Sequence, residues 1–344
     1  MRPVDPKNGG LVETRCHGVI KLLPDTAGKP PFAGRNDPLS IAAGLFPIFR
    51  RAPRLAAAMN PYARLVSDHA RLFREGRGFP LGGFEAAPNP PLKAGAPTAL
   101  IFSPHPDDEC IIGGLALRLR REKGWNIINV AVTQGSNRAR QAERLTELKA
   151  ACGYMGFGLV QTAPNGLERV TPKCREEDPA FWKGSVTVIA RILEAHRPKA
   201  VFVPHMADWN GTHIGTHHLV MDALAALPAD FQTHIVETEY WGQMTRPNLM
   251  VELPEANVVD QVTGTSFHAG EVRRNPFHLL LPAWMLDNVR RGSELVGGQG
   301  GAAPDFGFAT LYRAVLWKAG TVIPAWTGGR TVSIAENPAA IFAG

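Results

Sequence analysis

TALIFSPHPDDEC, Thr98 to Cys110, runs from an uncharged and largely apolar stretch straight into one histidine and three acids, all within positions 105–109. A short apolar run bounded by prolines reads as a buried strand. Carboxylates this close repel one another unless something positive sits among them. Two arrangements remove the conflict. Either the cluster is a solvated strand-to-helix turn in which Asp107 or Asp108 caps the next helix, or it holds a cation.

Working outward, the rest of the chain supplies the frame. Ile111–Glu122 reads as a helix, Asn126–Thr133 (NIINVAVT) as a second strand, and 139–155 as a strong helix with Leu145, Leu148, Ala151 and Met155 on one stripe. Val186–Ala195 is expected to be helical, Ala200–Val203 a strand, Ile214–Ala226 a helix and His234–Glu239 a further strand. Such alternation predicts an α/β fold, a Rossmann-like, mostly parallel sheet with helices on both faces. The Gly-rich C-terminal part, with GGQGGAAPDFGFAT at 297–310, is expected to complete the sheet edge and roof the site. Ahead of this domain (98–344), residues 1–97 read as an N-terminal arm: irregular over 1–37, apolar over Leu39–Phe49, basic over Arg50–Arg54, helical over 61–76, and a Pro-rich linker over 84–97. Prolines 47 and 53 interrupt any long helix there, and the favoured reading is a helical arm packed on the main domain. Peripheral contact of this basic arm with a membrane surface is the alternative.

In open α/β sheets, ligands bind outside the carboxyl ends of the strands. The HPDDE cluster occupies one such end; ADWNGTHIGTHH (207–218) follows the strand Ala200–Val203 and occupies another. His105, Asp108 and a distant His therefore offer two nitrogens and one carboxylate, a set typical of catalytic zinc with an open position for water. This second cluster is what moves the reading from a solvated turn to a metal site. His217, one turn after His213, is a further candidate ligand, though packing or support of a ligand is the commoner role.

At this point the sequence resembles a family, the zinc-dependent PIG-L/LmbE-like N-deacetylases, which hydrolyse the acetamide of N-acetylglucosamine-containing compounds. Pro104-His105-Pro106-Asp107-Asp108-Glu109 after a strand looks like its signature; Asn210-Gly211-Thr212-His213 matches its second motif; Arg144-Leu-Thr-Glu147 resembles its Arg-x-x-Glu helix; Ser266-Phe-His268-Ala-Gly-Glu271 is similar to its later segment. The likeness spans roughly 97–315. It implies His105, Asp108 and His213 as zinc ligands, Asp107 as general base, and Arg144 in contact with the sugar or a charged group on it. A salt bridge from Arg144 to Glu147 is the structural alternative. Two departures stand out. Asn210 occupies the place of a histidine that helps the oxyanion or the base; Asn can donate a hydrogen bond but cannot carry a proton. Asn165, in APNGLE, stands where a substrate-binding acid is expected. His268 is a candidate to replace the missing histidine. His205 and Asp208 are expected to orient the ligands, and Glu237, Glu239, Tyr240 and Trp241 to line the pocket.

Composition bounds the alternatives. The net charge of +6 is unevenly spread: residues 1–95 hold 14 Lys/Arg against 7 Asp/Glu, the remainder 23 against 24. No basic face with interleaved aromatics suggests nucleic acid. Cys16, Cys110, Cys152 and Cys174 are far apart, which suits a reducing compartment rather than a disulfide framework. No apolar run is long enough to span a bilayer, and the start lacks a secretory pattern, so the expected location is the cytoplasm. The Gly-rich stretches do not form G-x-G-x-x-G between strand and helix, which argues against a dinucleotide site. The expected function is zinc-dependent removal of an N-acetyl group from an amino sugar or glycoconjugate. The alternatives are a non-catalytic, metal-containing carbohydrate-binding protein and an amidase for a non-sugar amide. A His₂Asp site also accepts Fe²⁺ or other divalent ions.

Overall fold

The computed structural model describes residues 60–86 and 88–343. The irregular stretch 1–37, the apolar run 39–49 and the basic run 50–54 lie outside the described residues. Among the described residues nine strands form the sheet: β1 (Thr98–Ser103), β2 (Asn126–Ala131), β3 (Gly158–Gln161), β4 (Ala200–Pro204), β5 (Thr233–Thr238), β6 (Leu249–Glu252), β7 (Ala309–Lys318), β8 (Thr321–Pro324) and β9 (Arg330–Val332). Their order is β3-β2-β1-β4-β5-β7-β6-β9, with β8 paired to β7. From β3 to β5 all pairs are parallel; β7 enters antiparallel between β5 and β6. The sheet is mixed but mostly parallel, with helices on both faces, as the sequence pattern implies.

Side chains alternate across each strand, and two cores result. On one face Ala99, Ile101, Ile127 and Phe202 meet Leu115, Leu119, Leu148 and Met285; on the other Leu100, Phe102, Val130, Val201 and Val203 meet Ile189, Leu193, Leu219 and Val220. The first face carries α3 (Gly114–Lys123), α4 (Gln141–Met155), α8 (Glu255–Ser266) and α10 (Leu281–Leu295); the second carries α5 (Pro172–Glu177), α6 (Pro179–His196) and α7 (Gly211–Ala225). The central strands β1, β2 and β4 therefore read as near-continuous apolar runs because neither face meets water.

Three elements differ from expectation. The helix expected over Ile111–Glu122 begins earlier as a single turn, α2 (Asp108–Ile111), and resumes as α3 after a break at Ile112–Gly113. The helix expected at Val186–Ala195 is the longer α6, started by an Asp178 cap that accepts from Phe181 N–H and by Pro179. Finally, α1 (Pro61–Gly76) forms with an Asn60 cap, and most of its apolar residues are open to solvent. Leu65 and Leu72 are exposed and only Gly76 is buried, where the missing side chain lets Leu279 approach. Among the described residues no helix is long and apolar enough to cross a membrane.

Candidate metal centre

β1 ends at Ser103, and the chain turns through Pro104–Asp107 into α2. Asp107 caps that turn in a backbone conformation rare for a side-chain-bearing residue, φ 128° and ψ −31°. The His105 N–H donates to Asp108 Oδ2 at 2.9 Å, closing the loop on itself. The same oxygen lies 3.6 Å from His105 Nδ1 and 3.5 Å from His213 Nε2.

His213 arrives from β4. Asp208 and Asn210 shape the entry to α7: Asp208 Oδ1 accepts from Asn210 N–H at 2.8 Å, and Asn210 Oδ1 caps the helix by accepting from Thr212 and His213 N–H. Asp208 Oδ2 then reaches His213 Nδ1 at 3.3 Å and fixes which ring nitrogen faces Asp108. The second turn of α7 sits against the 170–171 segment, where Gly215 alone fits.

The ligand atoms of His105, Asp108 and His213 all lie within 4.8 Å of one another. Donors about 2.0–2.1 Å from a tetrahedral zinc stand roughly 3.3 Å apart, so contacts of 3.5 and 3.6 Å fit such an ion. The electrostatics agree. Burial opposes ionisation of Asp108, yet His213 and His105 hold its carboxyl down at about 2. For His213 burial works against charge, but Asp108 and Asp208 outweigh it and raise its pKa. Asp107 behaves oppositely. Burial and the charge of Asp108 push it well above the usual carboxylate range, with Arg144 pulling the other way.

A cavity of about 460 Å³ opens above this cluster, lined by His105, Asp107, Asn210, His213, Trp209 and Trp241, with Arg140, Arg144, Arg274 and Glu271 along one wall. Glu271 serves all three guanidiniums: 2.8 Å to Arg140, 3.8 Å to Arg144, and a hydrogen bond from Arg274. Arg144 also donates to the Pro106 carbonyl at 3.2 Å. Its helix neighbour Glu147 turns instead to Gly270 N–H at 2.8 Å, so these two residues clamp the turn after α8 rather than each other.

The remaining candidates divide. Asn210 lines the cavity, and with Oδ1 committed to the cap its Nδ2 is the group left to donate. His268 is buried against Glu109, Nε2 to Oε1 at 2.7 Å, and is not among the cavity's lining residues. Asn165 is exposed on a turn and lines neither this cavity nor its neighbour along 167–171. His217 bonds the Pro204 carbonyl at 2.9 Å and faces a different cavity together with Glu237 and His205. Glu239 is buried on Arg291. Trp209, Arg140, Arg274 and Glu271 had no assigned role from sequence. QGSNRAR (134–140), at the carboxyl end of β2, is the signal that could have pointed to Arg140, since its loop opens on the same sheet edge.

Residues 100–224 match the family model PIG-L, GlcNAc-PI de-N-acetylase. No curated protein matches the sequence significantly. Among solved structures, GalB, the 4-carboxy-2-hydroxymuconate hydratase from Pseudomonas putida, is 16% identical, with 63% of this chain and 95% of that one covered and a TM-score of 0.48. N,N'-diacetylchitobiose deacetylase from Pyrococcus horikoshii is 15% identical, covering 74% of this chain and 93% of that one, TM-score 0.47. At these values neither a hydratase nor a deacetylase assignment follows from the likeness.

Proposed function

From a chain whose residues 100–224 fall in the PIG-L family, we propose a zinc-dependent hydrolase that removes the N-acetyl group from an amino sugar or glycoconjugate. His105, Asp108 and His213 would hold the ion, and Asp107 is the general base. The observation that carries this is the convergence of those three donors at the carboxyl ends of β1 and β4, beneath a cavity that His105, His213 and Asp107 line.

When bound, the metal supplies Lewis acidity, polarising the amide carbonyl and acidifying water. The protein's own groups do the rest. Asp107, held above the usual carboxylate range by burial and Asp108, takes the proton from the attacking water and hands it to the departing amine nitrogen. Water and acetamide thus become acetate and a free amine. Asn210 Nδ2 donates to the oxygen on which charge develops. Trp209 and Trp241 offer aromatic faces to a sugar ring. The wall of Arg140, Arg144 and Arg274 shares the single carboxylate of Glu271, leaving positive charge that suits an acidic group on the substrate. We place this chemistry in residues 98–344 and treat 1–97 as an appended arm.

A second reading, a metal-holding carbohydrate binder without turnover, is favoured by Asn210, whose Oδ1 serves as a helix cap and whose side chain has no titratable group. Amine release from a panel of N-acetylated sugars and glycoconjugates, with zinc added back, separates the two. Metal-dependent release establishes the deacetylase. Stoichiometric zinc with no amine from any member favours the binder.

A further inference from the structure

The HPDDE cluster contains a third acid, Glu109, that the proposed chemistry does not use. It is fully buried, and both oxygens are engaged. Oε2 accepts from Asp107 N–H at 3.1 Å; Oε1 meets His268 Nε2 at 2.7 Å and Cys110 Sγ at 3.4 Å. Glu109, Cys110 and His268 have the makings of a second metal cluster, but the 2.7 Å contact closes Glu109 on His268 and leaves no gap for an ion. A buried carboxylate needs such a donor.

We propose that Glu109 and His268 are positioning residues that hold Asp107 in place through its main chain, a reading that rests on Asp107 being the base. Consecutive acids must both serve this site: Asp108 sits among the two imidazoles, while Asp107 lines the cavity. The backbone achieves this at φ 128°, a conformation that persists only when its surroundings impose it. The Asp107 N–H is the handle, and Glu109 is its acceptor. His268 in turn leads directly into α9 (Ala269–Val272), its backbone carbonyl accepting from Glu271 N–H at 2.9 Å, and Glu271 holds Arg140, Arg144 and Arg274. One buried hydrogen bond therefore ties the base to the arginine wall. His268 acts from beneath the site rather than on the reacting amide.

The test compares His268→Ala with His268→Gln, which keeps a side-chain N–H donor. Three readouts are needed: turnover, zinc stoichiometry, and amide hydrogen exchange of the segment 103–112. The expectation for His268→Ala is a kcat lower by about 10- to 100-fold, KM within about twofold, zinc retained, and faster exchange in that segment. His268→Gln should recover most of each. Should His268→Ala fail to fold because it strands the buried Glu109 carboxylate, Glu109→Met removes that group and the acceptor together, and the same losses are expected. Wild-type exchange and kcat in whichever variant folds would overturn the proposal, as would a kcat loss explained by lost zinc and not recovered by Gln. If the wild-type protein releases no amine at all, the deacetylase reading fails, while exchange in the 103–112 segment still decides whether Glu109 and His268 hold Asp107.

Discussion

Gly215→Ala puts one methyl group into the contact that seats α7, two residues after His213. A Cβ there would stand 2.6 Å from the Val170 carbonyl carbon and 2.7 Å from Thr171 N, with the Val170 oxygen nearer still. Real Cβ contacts essentially never fall below 3.0 Å, and comfortable carbon contacts begin near 3.5 Å, so α7 or the 170–171 backbone must give way by roughly 0.9 Å. Neither neighbour is a flexible side-chain end. Overpacking of this kind costs about 1–3 kcal/mol, and a displacement near 1 Å at a ligand can cost on the order of 100-fold in rate. The variant is therefore expected to melt at lower temperature and to bind zinc more weakly, measured by thermal denaturation of the metal-free protein and by competitive zinc titration. Wild-type melting together with wild-type zinc affinity would refute the argument that close packing of α7 on 170–171 sets the position of His213.

Gly153→Ala, on α4, is the counterpart: an added Cβ meets nothing within 4 Å, so removing a helix-interior glycine should stabilise by about 0.5–1 kcal/mol in urea unfolding. Asp208→Asn removes the charge that fixes His213 Nδ1 while keeping an acceptor for Asn210 N–H; zinc affinity should fall about 10- to 100-fold with little change in the metal-free melting curve. Acid stability should carry the signature of His234, whose pKa is lowered to about 4 by burial and by Lys199. Because the unfolded chain binds this proton near pH 6.5 and the folded chain only near 4, the contribution is complete above about 6.5 and lost as pH falls toward 4, up to about 3 kcal/mol. His234→Gln should lessen the slope of unfolding free energy against pH across that window, leaving the part due to His217, which burial also lowers to about 4; an unchanged slope would contradict the assignment.

Most of the frame was legible because its signals are local. Apolar runs such as Thr98–Phe102 and Asn126–Thr133 could only be buried strands, and the structure gives Thr98–Ser103 and Asn126–Ala131. That the clusters after β1 and β4 meet at one edge was legible because parallel topology forces those strand ends together; singling out His105, Asp108 and His213 within them rested on the family resemblance, and the three do lie close together. What sequence could not show depends on distant pairing. His268 and Glu109 are 159 positions apart, and nothing local tells a buried partner of a carboxylate from a group facing substrate. Arg140 and Arg274 are likewise brought together only by the turn after α8. The pattern over 61–76 marks a helix, which forms as α1, without saying what covers its apolar residues.

The most direct measurement pairs metal content with turnover in Asp107→Asn. The account predicts one zinc bound per chain, as in the wild-type protein, with amine release from the best acetamido substrate abolished, since the donors remain and the base is gone. Undiminished release, or loss of the zinc along with it, would contradict the division of labour between Asp107 and the His105–Asp108–His213 set.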